Sequence, residues 1–62
     1  MWKVTAYLSA GVQHSFDARS QKHAREIAGR IIREGLWVVH DDKTEEYYPS
    51  NLIFKVKVAK VD

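Results

Sequence analysis

Ala24, Ile27, Ala28, Ile31 and Ile32 recur at the spacing i, i+3, i+4, i+7 and i+8. That spacing lines one face of an α-helix with apolar side chains and leaves the rest of the cylinder polar. No second stretch of the 62-residue chain carries the same period. A lone helix must bury its stripe against another element, and the flanking sequence offers strands. The chain is therefore expected to be α+β: a small antiparallel sheet of four or five strands in β-β-α-β-β order, with the helix packed on one face. The length allows a single domain spanning 1–62.

The helix should run over 20–34. Ser20 can cap it, because a hydroxyl accepts from a first-turn N–H. Gly35 can end it in a left-handed turn. Glu26 and Arg30 stand four apart and suit an ion pair. Gly29 interrupts the helix on its polar side at a cost of roughly 1 kcal/mol relative to alanine.

Either side of the helix the period drops to two, which means half-buried strands. Trp2, Val4, Ala6 and Leu8 alternate with Lys3, Thr5, Tyr7 and Ser9. After a turn at "SAGV", where Gly11 can take positive φ, Val12, His14 and Phe16 alternate with Gln13, Ser15 and Asp17. "LWVVH" (36–40) reads as a third strand, "DDKT" as a tight turn and "EEYYP" as the return arm. In "LIFKVKVAKV", Leu52, Phe54, Val56 and Val58 share one face, while Ile53, Lys55 and Lys57 share the other. The expected buried face is thus Trp2, Val4, Ala6, Leu8, Phe16, Leu52, Phe54, Val56 and Val58 under the helix isoleucines. The first and last strands should be neighbours.

Several kinds of chemistry lack the residues they need. With no cysteine, disulfides and thiolate zinc sites are excluded. No glycine-rich phosphate loop, nucleophile elbow or H-E-x-x-H pair occurs, so neither a cofactor nor an enzymatic activity is expected. The densest stretch is "HDDKTEEYY" (40–48), with one histidine and four carboxylates. His40, Asp41 and Glu45 could be imagined as a metal-dependent hydrolytic centre. Neighbouring residues on a strand point to opposite faces, however, and "DDKT" belongs at a solvated turn, so the hairpin-tip reading is preferred. No apolar run approaches the ~20 residues of a membrane span, and a cytoplasmic protein is expected.

Two kinds of surface remain. Lys3, Tyr7, Lys55 and Lys57 should share the sheet face away from the helix, where cations beside an aromatic ring suit an anion or a nucleic acid. Arg25, Arg30 and Arg33 make the helix exterior basic and form a second anion patch. Trp37, Tyr47, Tyr48 and Ile53 are surplus to one small core, and contiguous exposed apolar groups usually mark association sites. A domain this small also gains from a partner subunit.

The closing stretch "EEYYPSNLIFKVKVAKV" resembles the C-terminal part of small uncharacterised phage and prophage proteins. In those, an acidic hairpin, a Tyr/Pro pair and a final Ile/Val/Lys strand follow one short helix. The resemblance covers the last third of the chain and implies a mobile-element context with no activity attached. The reading that results is a small non-enzymatic binding protein acting as a homo-oligomer. Its partner would be a host or phage protein, or an anionic ligand such as a nucleotide held at a subunit interface. The alternative is a nucleic-acid-binding regulator using the basic sheet face.

Overall fold

The computed structural model describes residues 1–61. Its elements are β1 (Trp2–Leu8), β2 (Gln13–Ala18), α1 (Gln21–Glu34), β3 (Leu36–Val39), β4 (Glu45–Tyr48) and β5 (Ile53–Lys60), with single 3-10 turns at Ser9–Gly11 and Ser50–Leu52. The fold is α+β, but the expected single sheet is two. β2-β1-β5 form an antiparallel three-stranded sheet, and β3-β4 form a separate two-stranded hairpin. The first and last strands are neighbours, pairing from Trp2 with Lys60 to Leu8 with Ile53.

Local chemistry sets the element ends. Ser20 caps α1, its Oγ accepting from the His23 N–H at 3.1 Å. The His23 ring reinforces the start, Nδ1 accepting from the Arg19 N–H at 3.2 Å. Gly35 closes the helix with its N–H on the Ile31 carbonyl at 2.9 Å. Its φ of 90° and ψ of −175° suit glycine alone. The β1–β2 connection passes through the left-handed region at both Ala10 and Gly11.

The core is Val4, Ala6, Leu8, Ala18, Ala24, Ile31 and Leu36, with Trp2, Phe16, Ile27, Val38, Tyr48, Ile53, Val56 and Val58 packed around it. Three expectations are corrected by it. Phe54 is 80% exposed and Leu52 41%, although both were expected inside. The register shifts between Tyr7 and Leu8, so Lys55 pairs with Tyr7 and Ile53 with Leu8. Phe54 is therefore the extra residue of a bulge, which reverses the alternation. Ile53 accordingly packs on the core instead of standing surplus to it. Ile32 lies at the margin of the helical stripe and is 59% exposed.

Candidate functional site

Three surfaces carry the residues that the sequence singles out. The first is the open face of the three-stranded sheet. The register places Gln13, Tyr7 and Lys55 in one row, Ser15, Thr5 and Lys57 in the next, and Asp17, Lys3 and Ala59 in the third. Lys3, Tyr7, Lys55 and Lys57 thus share a face as expected. Their surroundings are less free than the pattern suggests. The Lys55 Nζ sits 5.0 Å from the centroid of the Tyr7 ring, Lys3 has Asp17 as its cross-strand neighbour, and the Thr5 and Ser15 hydroxyls share a hydrogen bond at 3.0 Å.

The second is the inner side of the hairpin. The register pairs Val38 with Glu46 and Leu36 with Tyr48. Leu36, Val38 and Tyr48 pack on the core, and the Tyr48 ring lies 5.6 Å from that of His14 on β2. Glu46 accepts from the Tyr48 hydroxyl at 2.9 Å and also contacts the His40 ring. These two bonds, His40 first, hold the Glu46 carboxyl below the usual glutamate range. The bond to Glu46 in turn pushes the Tyr48 phenol up. The Nε2 of His14 is buried with no hydrogen-bond partner among the described residues.

Nothing in the sequence pairing of neighbours signals this Glu46-centred cluster, because its members meet through i,i+2 and cross-strand positions. It also disperses the imagined metal centre. His40 engages Glu46, Glu45 alternates onto the outer side, and Asp42 accepts from the Thr44 N–H and hydroxyl at 3.1 and 2.6 Å. Those bonds, the hydroxyl first, lower the Asp42 carboxyl from its ordinary value. Among the described residues no three His, Asp or Glu side chains are placed to hold a metal ion.

The third surface joins two groups that the sequence left apart. On the outer side of the hairpin, Trp37 pairs with Tyr47 across the strands, their ring centroids 4.8 Å apart. Trp37 is 61% exposed. The Tyr47 hydroxyl donates to the Glu34 carbonyl at 2.8 Å, so Tyr47 also ties the hairpin to the last turn of α1. Between this aromatic pair and the helix runs an open groove of about 1320 Å³. Phe16 and Ile27 supply apolar lining, and Lys22, Arg25, Arg30 and Arg33 supply the charge. Two carboxylates, Glu26 and Glu34, also line it. Arg30 pairs with Glu34 at 3.5 Å, in place of the expected pairing with Glu26, and the groove stays net positive.

No family model matches the chain, and neither a curated protein nor a solved structure matches it.

The association residues divide once they are placed. Trp37 and Tyr47 stay at the surface, the latter with a hydrogen bond to maintain. Tyr48 and Ile53 pack on the core, because the hairpin's inner side and the bulged start of β5 both face inward. The three arginines expected as an anion patch, Arg25, Arg30 and Arg33, all line the groove beside Trp37 and Tyr47. No helix of the described residues is long and apolar enough to cross a membrane.

Proposed function

We propose that the protein is a non-enzymatic binding protein whose α1–hairpin groove takes a small ligand combining a planar ring with an anionic group, a nucleotide being the simplest example. The observation that carries this reading is the convergence of an exposed Trp37–Tyr47 pair, its rings in tilted contact, with Lys22, Arg25 and Arg33 around one concavity. An indole face stacks on a base, and guanidinium forks match phosphate oxygens in pairs. A nucleotide engages both, whereas a purely apolar ligand leaves the arginines unused.

The groove is open, while small-molecule sites bury most of their ligand. A second copy of the chain lying over Trp37 would supply the missing wall. The protein is accordingly proposed to work as a homo-oligomer, with the ligand near the subunit interface. A mobile-element origin accords with a ligand-sequestering role, which needs no catalytic group.

The nucleic-acid alternative has weaker support. The open sheet face carries one aromatic ring, Tyr7, and Lys55 already covers it. A stacking base would have to displace that lysine.

Calorimetric titration with nucleoside mono-, di- and triphosphates tests the proposal, with native mass spectrometry reporting subunit number. Trp37→Ala should weaken binding by ~1–3 kcal/mol, the range for loss of one stacked base. Arg25→Ala with Arg33→Ala should flatten the salt dependence. If no nucleotide binds at millimolar concentration, or if Trp37→Ala leaves the affinity unchanged, the reading is wrong.

A further inference from the structure

Among the described residues β5 has β1 on one side and no strand on the other, so beyond Ile53, whose N–H donates to the Ser50 carbonyl, its outer edge offers backbone N–H and C=O groups to a further strand. The bulge that reverses the alternation leaves Phe54 80% exposed at this edge, with Ile32 of α1 59% exposed nearby. Together with Ile53 and Val56, and with Ser50 and Lys55 at its polar rim, they line a small groove of about 250 Å³ between α1 and β5. The same strand carries Lys55 and Lys57, in register with Tyr7 and Thr5 of β1. The edge therefore sets an exposed phenylalanine and an apolar groove beside two lysines of the same strand.

We infer that the β5 edge is a docking site for an extended segment of another protein, in which apolar residues alternate with acidic ones. Such a segment would add as a fourth strand of the β2-β1-β5 sheet. Its backbone would take the free edge hydrogen bonds. Its apolar side chains would enter the groove at Phe54 and Ile32, and its carboxylates, one residue out of phase, would meet Lys55 and Lys57.

Charge decides between this occupant and a second copy. Side chains directly opposite one another in antiparallel strands lie on the same face. If β5 pairs with itself about Val56, Lys55 of each copy opposes Lys57 of the other. About Lys57, that lysine opposes its own copy. Like charges directly opposite are destabilising, so the centre of the strand rejects itself and favours a carboxylate-bearing strand. Edge lysines alone would serve only to repel other strands. An edge that is merely guarded gains nothing from an exposed phenylalanine beside an apolar groove.

The test uses the full chain and a labelled peptide of β5 length alternating valine and glutamate, with a control in which lysine replaces glutamate. Fluorescence anisotropy should show binding of the acidic peptide alone, weakening as salt rises. Amide NMR shifts should map to β5 and to Ile32. Phe54→Ser should weaken binding at least about tenfold, the scale of burying one phenylalanine side chain. The exposure of Phe54 predicts an unchanged circular dichroism spectrum for that variant. Ile32→Ser provides the same reading if Phe54→Ser does not fold. Equal binding of both peptides, no binding at millimolar concentration, or shifts confined to other elements would overturn the inference. Concentration-dependent self-association that Phe54→Ser abolishes would assign the edge to a second copy and overturn it equally.

Discussion

The three-stranded sheet and the β3–β4 hairpin are both antiparallel, yet they are held in different ways. In the sheet, β1 is flanked on both sides. Val4 and Ala6 are completely buried beneath α1, and β1 pairs with strands near it and at the far end of the chain. Among the described residues the hairpin strands pair only with each other. It joins the body through Leu36, Val38 and Tyr48 on its inner side and through the Tyr47 hydroxyl on the Glu34 carbonyl. A two-stranded ribbon is marginal by itself, so those few attachments set its position. The difference separates stability from recognition. The sheet supplies a core that buries the helix stripe, while the hairpin holds Trp37 and Tyr47 at the surface beside the basic side of α1.

The contrast breaks most severely at Gly35, the joint between helix and hairpin. A Cβ there would lie 2.6 Å from the Tyr48 carbonyl and 2.8 Å from the Tyr47 hydroxyl. The carbonyl cannot yield without disturbing the Leu36–Tyr48 pair that begins the hairpin. Gly35→Ala should cost roughly 2–4 kcal/mol, combining backbone strain with overpacking. Urea denaturation followed by tryptophan fluorescence measures it. A loss below about 1 kcal/mol would mean that the joint is loose and that the groove has no fixed wall.

A gentler probe removes one attachment and keeps the ring. Tyr47→Phe deletes the bond to the Glu34 carbonyl while leaving the tilted ring contact with Trp37. The loss should be about 1 kcal/mol, the net contribution of one hydrogen bond. Amide exchange should rise in β3 and β4 and stay unchanged in β1. Uniform acceleration across both sheets would show that hairpin and sheet open together as one unit.

The same division governs what could be read from residue order. Caps and periods act over a few residues, so the helix limits, the Ser20 cap, the Gly35 stop and the alternation of β1 were accessible. The inward turn of Ile53 was not. It depends on a bulge created where β5 meets Leu8, a partner 45 positions away in the register, and period two cannot report an extra residue. The Glu46 cluster was missed for a related reason. Adjacent Glu45 and Glu46 do diverge, but the same period of two returns Glu46, Tyr48 and His40 to one side. The groove was divided into two unrelated patches because only the packing of α1 beside the hairpin brings Arg25 and Arg33 to Trp37.

Gly29 gives the smallest effect, and its direction distinguishes two uses of the helix exterior. A Cβ at this position would meet the Nη1 of Arg33 at 3.1 Å and no other side chain closely. The guanidinium thus lies back over the space that glycine leaves. The obstacle is the far end of a flexible side chain, which can swing away, so Gly29→Ala should recover up to ~1 kcal/mol of helix propensity. Thermal melts of the two proteins measure the gain. If the resting place of Arg33 over Gly29 also sets its aim into the groove, alanine will stabilise the chain and weaken nucleotide binding together. A stabilised variant that binds unchanged would place the anion-holding charge on Lys22 and Arg25, at the other end of the helix, and would leave Gly29 without a role in the groove.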